Sequence, residues 1–299
     1  MRVFVTGASG WIGSATTDDL LEAGHQVIGL ARSDATATAL AAKGATVLRG
    51  DLDDLDSLRR GATEADAVVH LANKHDWNNH AATARAERTA VQTLADALVG
   101  TGKPFVVASG LALLAEGRAC VETDRSPAVG LESMRGGSEN LALDYVERGV
   151  RTIIARFAPT VHGIGDHGFI AFIAAAARKH GLSGYVGDGL TSWAAVHVSD
   201  AARMMRLSLD KAPAGAILHA IAEEGVPTRE IAEAIGANLD LPVGSITAEQ
   251  SIERIGEFVG RFYGVDLRAS SQLTRDLLDW TPTGPTLVED IKAGGYPGE

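Results

Sequence analysis

The stretch VTGASGWIG, Val5 to Gly13, decides how this chain is read. Gly7, Gly10 and Gly13 stand three apart, directly after the apolar run Val3, Phe4, Val5 and directly before a segment of helical spacing. A buried strand ending in a glycine turn that opens a helix aims backbone N–H groups and the positive end of a helix dipole at one point. That arrangement suits a pyrophosphate. Gly7 permits the tight turn, Gly10 lets a diphosphate approach the backbone, and Gly13 lets the helix pack on the strand. The expectation is a dinucleotide site in which Gly7, Ser9, Gly10, Trp11, Ile12 and Gly13 cradle the diphosphate.

Working outward, residues 26–31, 46–48, 67–71, 105–108 and 152–156 form further short runs rich in Val, Ile and Phe without polar alternation. Strands buried on both faces have this pattern. Between them, Ala86, Ala90, Leu94 and Ala97 recur at helical spacing over residues 82–98. Strand and helix in alternation imply right-handed crossovers and a parallel sheet. After residue 160 the pattern loosens into the loop PTVHGIGDHGF, an alanine-rich helix over 169–180, a turn region GYVGDGLTSW and a short helix after Asp200. A strand near 216–221, helices at 228–235 and 248–259, and a tail with LLDWTP follow. The reading is an α/β fold: a doubly wound parallel sheet binding the dinucleotide over residues 1–160, and a small C-terminal substrate-binding lobe over 161–299 with some return to the sheet. The two form one integrated unit.

Composition removes several function classes. Asp and Glu number 38 against 27 Lys and Arg, a formal net charge of -11, and the basic residues are scattered. No basic stripe exists to neutralise phosphates, so nucleic acid is not an expected partner. No apolar run approaches the ~18 residues that suggest a membrane span. The first strand begins at residue 2, leaving no room for a signal peptide, so a cytoplasmic protein is expected. A single cysteine, Cys120, excludes an internal disulfide and a cysteine zinc cage, and reads as a small buried hydrophobe. The histidines lack matched ligand spacing, so no metal is expected.

The end of the second strand, VIGLARSD (27–34), bears on which dinucleotide binds. Ala31 stands where an NAD-preferring site places an acid for the ribose hydroxyls, and Arg32 follows it. Without that acid nothing repels a 2′-phosphate, and Arg32 with Ser33 can hold one. Asp34 weakens the positive field. NADP(H) is expected in preference to NAD(H).

TGASGWIG (6–13), GDLDD (50–54), VVHLA (68–72), RFAPTVHGIGD (156–166), VHVSDAAR (196–203) and LDWTP (278–282) occur in an order and spacing that resemble the extended short-chain dehydrogenase/reductase family. That family includes nucleotide-sugar epimerases and dehydratases. The resemblance implies a Rossmann-type sheet, with Asp51 and Leu52 at the adenine and Leu71, Ala72 and Asn73 beneath the cofactor. It places Ala108, Ser109, Phe157 and Thr160 near the ribose and nicotinamide, and it implies a homodimer.

The family's proton chemistry uses a Ser or Thr after the fifth strand and a Tyr-x-x-x-Lys pair on the next helix. Aligned through Glu139, the segment VGLESMRGGSENLAL (129–143) puts Leu131 at the tyrosine and Arg135 at the lysine, so the chain lacks the pair. The catalytic serine falls on Gly110, with Ser109 one place before. Tyr145 is out of register and reads as a packing residue. Arg135 either takes over the lysine's ribose contact or is a solvated helix arginine. The catalytic candidates are therefore Ser109, Arg135 and His75, a histidine near its unperturbed pKa of ~6.5 being able to supply a proton. The loop NKHDWNNH (73–80) and later segments offer Lys74, Trp77, His162, Tyr185 and Trp193 as substrate walls, with Asp76, His80 and His167 nearby. The resulting expectation is an NADP(H)-dependent oxidoreductase acting on a small, largely apolar carbonyl (ketone, aldehyde or imine) or the matching alcohol. A non-catalytic NADP(H) sensor and an epimerase- or dehydratase-type isomerase or lyase are the alternatives. Fold alone does not choose among them.

Overall fold

In the computed structural model, which describes all residues except 75, 77, 78, 113, 132, 134 and 297–299, the buried run before the glycine turn becomes the central strand of a parallel sheet. Val3, Phe4 and Val5 have no solvent exposure. The strands in chain order are β1 (Arg2–Thr6), β2 (Gln26–Ala31), β3 (Thr46–Arg49), β4 (Ala67–His70), β5 (Pro104–Gly110), β6 (Arg151–Phe157), β7 (Thr160–His162), β8 (Ser183–Val186), β9 (Ser192–His197), β10 (Ala216–Ala220), β11 (Glu223–Pro227) and β12 (Val243–Ile246). Among the described residues seven of them form one sheet in the order β3-β2-β1-β4-β5-β6-β10, parallel throughout. The order reverses between β1 and β4, and ligands of open α/β sheets bind at such a switch point.

Helices α1 (Trp11–Glu22), α2 (Asp34–Ala42), α3 (Leu55–Glu64), α4 (His80–Leu98) and α5 (Gly136–Asp144) connect the first six strands. Leu20 of α1 and Leu40 of α2 pack on one face of the sheet, while Leu58 of α3, Leu94 of α4 and Ala142 of α5 pack on the other. The remaining helices are α6 (Phe169–His180), α7 (Val198–Lys211), α8 (Thr228–Leu239), α9 (Ala248–Ile255), α10 (Glu257–Tyr263), α11 (Gln272–Leu278) and α12 (Leu287–Lys292). A second core of Ile170, Ile173, Trp193, Ile231, Tyr263 and Leu287 lies among α6, α8, α10, α12 and the sheet β11-β9-β7.

The strand expected near 216–221 is β10, the seventh of the sheet. Three features depart from the expectation. The helix expected to be short after Asp200 is α7, 14 residues long, whose Met204 and Met205 join the core of the first sheet face. The region 184–193 holds parts of two strands, β8 and β9, because Gly187 (φ 62) and Gly189 (φ 71) confine the reversal to a few residues. The helix expected over 248–259 is two helices, broken at Gly256, whose φ of 107 no helix accommodates.

Candidate functional site

The glycine turn is a close approach of three pieces of main chain. Gly7 has φ 70, and a Cβ there would lie 2.7 Å from the Ala72 backbone nitrogen. A Cβ on Gly13 would lie 1.9 Å from the Gly7 carbonyl oxygen, whereas one on Gly10 would meet only that oxygen, at 3.2 Å. The Gly10 N–H closes the turn onto the Gly7 oxygen at 2.9 Å. Helix α1 then starts without a side-chain cap and without an acid in its first turn. Its leading N–H groups are unopposed by negative charge, so the residues present fit a diphosphate. Ser9 is exposed beside this cradle, and Ile12 is half-buried against the core. Trp11 also has a part its motif does not advertise. Its indole Nε1 donates to the Val161 oxygen at 2.7 Å, and its ring stands edge-on to His167 at 6.0 Å, tying the turn to β7.

At the other end of the cofactor path, Ala31 is buried and Arg32 is exposed, with no hydrogen bond or ion pair among the described residues. The Ser33 hydroxyl caps α2, accepting from the Thr36 N–H at 3.2 Å. Asp51 shapes its own loop, accepting from the Asp53 and Asp54 N–H groups at 2.8 and 3.0 Å, with Leu52 half-buried beside it. Lys74 pairs with Asp53 at 2.7 Å. It therefore borders a groove of about 480 Å³ with Leu52, Asp53, Ala82, Arg85 and Ala86, on the adenine-loop side.

Strand register assembles the polar row at the sheet's far edge. Ser109 of β5, Arg156 of β6 and His219 of β10 are register neighbours, and Glu139 of α5 closes over them. Glu139 accepts from Ser109 Oγ at 2.6 Å, from Arg156 Nη2 at 2.6 Å and from Arg156 Nε at 3.2 Å. His219 Nδ1 donates to the Ser270 oxygen at 2.8 Å, which leaves Nε2 to accept from Arg156 Nη1 at 3.3 Å. Burial holds the His219 pKa down, consistent with a neutral ring. All four side chains are buried. The Ser109 proton is thus committed to Glu139, and toward a ligand this hydroxyl offers an accepting lone pair. Ala108 is buried beside it, and Phe157 and Thr160 are buried just beyond.

The family's tyrosine and lysine positions lie off the helix. Leu131 is exposed, and Arg135 is the residue that precedes α5 rather than a member of it. Its guanidinium stands 3.9 Å from Glu87, a buried carboxylate of α4 that also accepts from Asn73 Nδ2. His70, fully buried at the end of β4, bonds Thr6 Oγ1 through Nδ1 at 2.7 Å, while its Nε2 is buried without a partner among the described residues. Burial lowers its pKa. A Cβ on Gly110 would meet nothing within 4 Å. Gly110→Ser accordingly puts the family's hydroxyl back at a position with room for its Cβ, and kcat/KM with any substrate the protein turns over should rise about tenfold or more. An unchanged rate would exclude Gly110 from the reacting site.

Two of the expected substrate residues are core residues instead. His162 has no exposure: Nδ1 lies 2.5 Å from Asp290, Nε2 3.9 Å from Glu223, and the ring is edge-on to His197. Burial lowers its pKa against the opposing pull of Asp290. Trp193 is likewise unexposed, donates Nε1 to the Val265 oxygen at 3.2 Å, and packs edge-on against Phe169 and Tyr263. Tyr185 is half-buried on β8 under the Arg229 guanidinium, 4.8 Å away. His75 and Trp77 lie outside the described residues. Tyr145 packs in the core with its hydroxyl on Asp96, and burial pushes the Cys120 thiol up to about 11, the behaviour of an inert buried side chain.

Residues that motif reading passed over complete the picture. Arg49 enters beside Arg32 through strand pairing, His219 enters through β10, and Glu87 through α4. The rings of His80, Phe258 and Phe169 form a chain joining the start of α4 to the C-terminal lobe, with centroids 6.3 and 5.9 Å apart. The available signal was the aromatic spacing in EFVGRFY, since Phe258 and Phe262 fall on one helix face.

A model of the NAD dependent epimerase/dehydratase family matches residues 3–221. The chain belongs to this family. It is 41% identical over 297 residues to an uncharacterized protein of Schizosaccharomyces pombe, spanning 99% of this chain and all of the relative. It is 27% identical over 228 residues to a 4-hydroxy-2-methyl-3-oxo-4-farnesyl-3,4-dihydroquinoline-1-oxide ketoreductase of Stigmatella aurantiaca, covering 73% and 67% of the two chains. The structure of MoeE5 in complex with UDP-glucose and NAD superposes with a TM-score of 0.74 at 24% identity, over 97% of this chain and 96% of that one. The expected Rossmann-type fold and the extended short-chain dehydrogenase/reductase resemblance are thereby established, in a family member without the Tyr-x-x-x-Lys pair.

Proposed function

We propose that the protein is an NADP(H)-dependent oxidoreductase acting on a small, largely apolar carbonyl compound or the corresponding alcohol. The observation that carries the cofactor preference is Arg32, exposed and without a partner among the described residues, at the end of β2 where residue 31 is alanine rather than an acid. The ketoreductase relative supports the reaction type, and the half-buried rings of Phe169 and Phe258 support an apolar substrate. When bound, the coenzyme supplies or accepts the hydride. The chain's own residues then have separate tasks. The N–H groups around Gly10 hold the diphosphate, Arg32 the 2′-phosphate, and the loop of Asp51 and Leu52 the adenine. Ser109, fixed by Glu139, accepts a hydrogen bond from the ligand side, and Arg135 is steered by Glu87 toward the ribose. The partner in this reading is a small molecule, without nucleic acid or membrane; among the described residues no helix is long and apolar enough to cross a membrane.

A second reading, a non-catalytic NADP(H)-binding sensor, is favoured by one observation: the Ser109 proton is engaged by Glu139, while the residue aligned with the family's tyrosine is a leucine, Leu131. NADPH consumption, followed by absorbance across a panel of ketones, aldehydes and imines, separates the two. Turnover of at least one compound supports the reductase, and silence across the panel with tight NADPH binding supports the sensor. Conversion of a nucleotide sugar without net coenzyme consumption would support an isomerase. Arg32→Ala should weaken NADPH binding about tenfold and leave NADH nearly unchanged, as loss of a hydrogen-bonded charge contact predicts. Equal losses for both coenzymes would remove the NADP(H) assignment.

A further inference from the structure

Arg49 is a charged side chain with no task in the scheme above, and its surroundings give it one. Ala31 and Arg49 are register partners on β2 and β3, so Arg49 reaches the same sheet edge as Arg32. Its Nη1 donates to the Ser33 oxygen at 2.6 Å and its Nη2 to Asp34 Oδ1 at 2.8 Å. The Asp34 side chain is 98% exposed and that of Arg49 51%. An ion pair this open to water adds little to stability, and its guanidinium can exchange one anion for another. A phosphate monoester carries more charge than a carboxylate and matches the guanidinium fork equally well. The two arginines and Asp34 therefore make a site whose anion position is already rehearsed by a side chain of the chain itself.

We propose that Arg49 is the second arm of the 2′-phosphate site, and that Asp34 is an internal competitor which Arg49 releases when the phosphate arrives. The proposal rests on the NADP(H) reading above. It assigns opposite effects to neighbouring residues: Arg49 strengthens recognition of the phosphate, and Asp34 weakens it. The Ser33 carbonyl keeps the guanidinium at the edge throughout.

The test is calorimetric titration of the full chain with adenosine 2′,5′-bisphosphate and with 5′-AMP, which differ by the 2′-phosphate. Arg49→Gln should lose about tenfold in affinity for the bisphosphate with 5′-AMP unchanged. Asp34→Asn should gain several-fold for the bisphosphate alone, and the double variant should stay weak. If Asp34→Asn restores full affinity to Arg49→Gln, Arg49 merely neutralises Asp34 and the proposal falls. It falls equally if Arg49→Gln weakens both ligands alike, the mark of a disturbed α2. Arg49→Lys, which keeps the charge but not the fork, should lie between wild type and Arg49→Gln; a value equal to wild type would overturn the fork geometry. If Arg32→Ala discriminates between the ligands and Arg49→Gln does not, the NADP(H) reading stands and this inference fails. If the wild-type protein binds both ligands equally, the reading fails with it.

Discussion

Replacing Glu139 with leucine is expected to destabilise the protein by about 3–5 kcal/mol, the usual consequence of leaving one charge of a buried pair unmatched. Arg156 is fully buried and Glu139 nearly so. Without the carboxylate, the guanidinium would keep only His219 Nε2 at 3.3 Å from this row, and burial keeps that ring neutral. Arg156→Leu should cost somewhat less, because Ser109 continues to donate to the remaining carboxylate. The double variant Glu139→Leu/Arg156→Leu should recover much of the loss, since apolar residues often replace a buried pair without penalty. Urea denaturation of the four proteins gives the coupling energy directly. A coupling below about 1 kcal/mol would show that water reaches the pair and that the row is not the dry network its geometry implies.

Gly13→Ala is expected to lower coenzyme affinity by about 100-fold, the effect of misplacing binding groups by roughly 1 Å. The added carbon would sit 1.9 Å from the Gly7 oxygen and 2.8 Å from the Gly7 carbonyl carbon, where contacts under 3.0 Å are essentially never seen. Both obstacles are main chain, so no side-chain rotation relieves them. The start of α1 must move by about 1 Å, and its N–H groups move with it. A stability loss of about 1–3 kcal/mol should accompany the change. Gly10→Ala, with a nearest contact of 3.2 Å, serves as the milder control. Fluorescence titration with NADPH reads both variants; an alanine at residue 13 that binds like wild type would mean that this turn does not hold the diphosphate.

Most of the sheet was legible because its strands are buried on both faces, and a run such as Phe105 to Ala108 admits few other readings. The cradle was legible for a related reason: glycine spacing records a steric requirement that no other residue meets. The parts that were not legible depend on what the fold brings together. Nothing local in EEGVP or AILHA marks which strand joins which sheet, and β10 reaches β6 only through tertiary pairing. Arg49 and Arg32 are separated along the chain and meet through the β2–β3 register. Glu139 could be recognised as an alignment anchor, yet its bonds to Ser109 and Arg156 follow from three elements converging. His162 and Trp193 were misleading because a polar or aromatic residue in a glycine-rich loop region suggests a wall, whereas Asp290 and Val265, far along the chain, enclose them.

The placement of β10 has a consequence for how the molecule is made. A ribosome releases β6 long before β10, so the growing chain carries the outer edge of β6 bare, an open template for unwanted pairing. Arg156 meanwhile waits for His219. That edge stays open until residues 216–220 are available, and a product cut at the apparent lobe junction would inherit that sticky border permanently. The family match, residues 3–221, ends one residue after the strand that seals it.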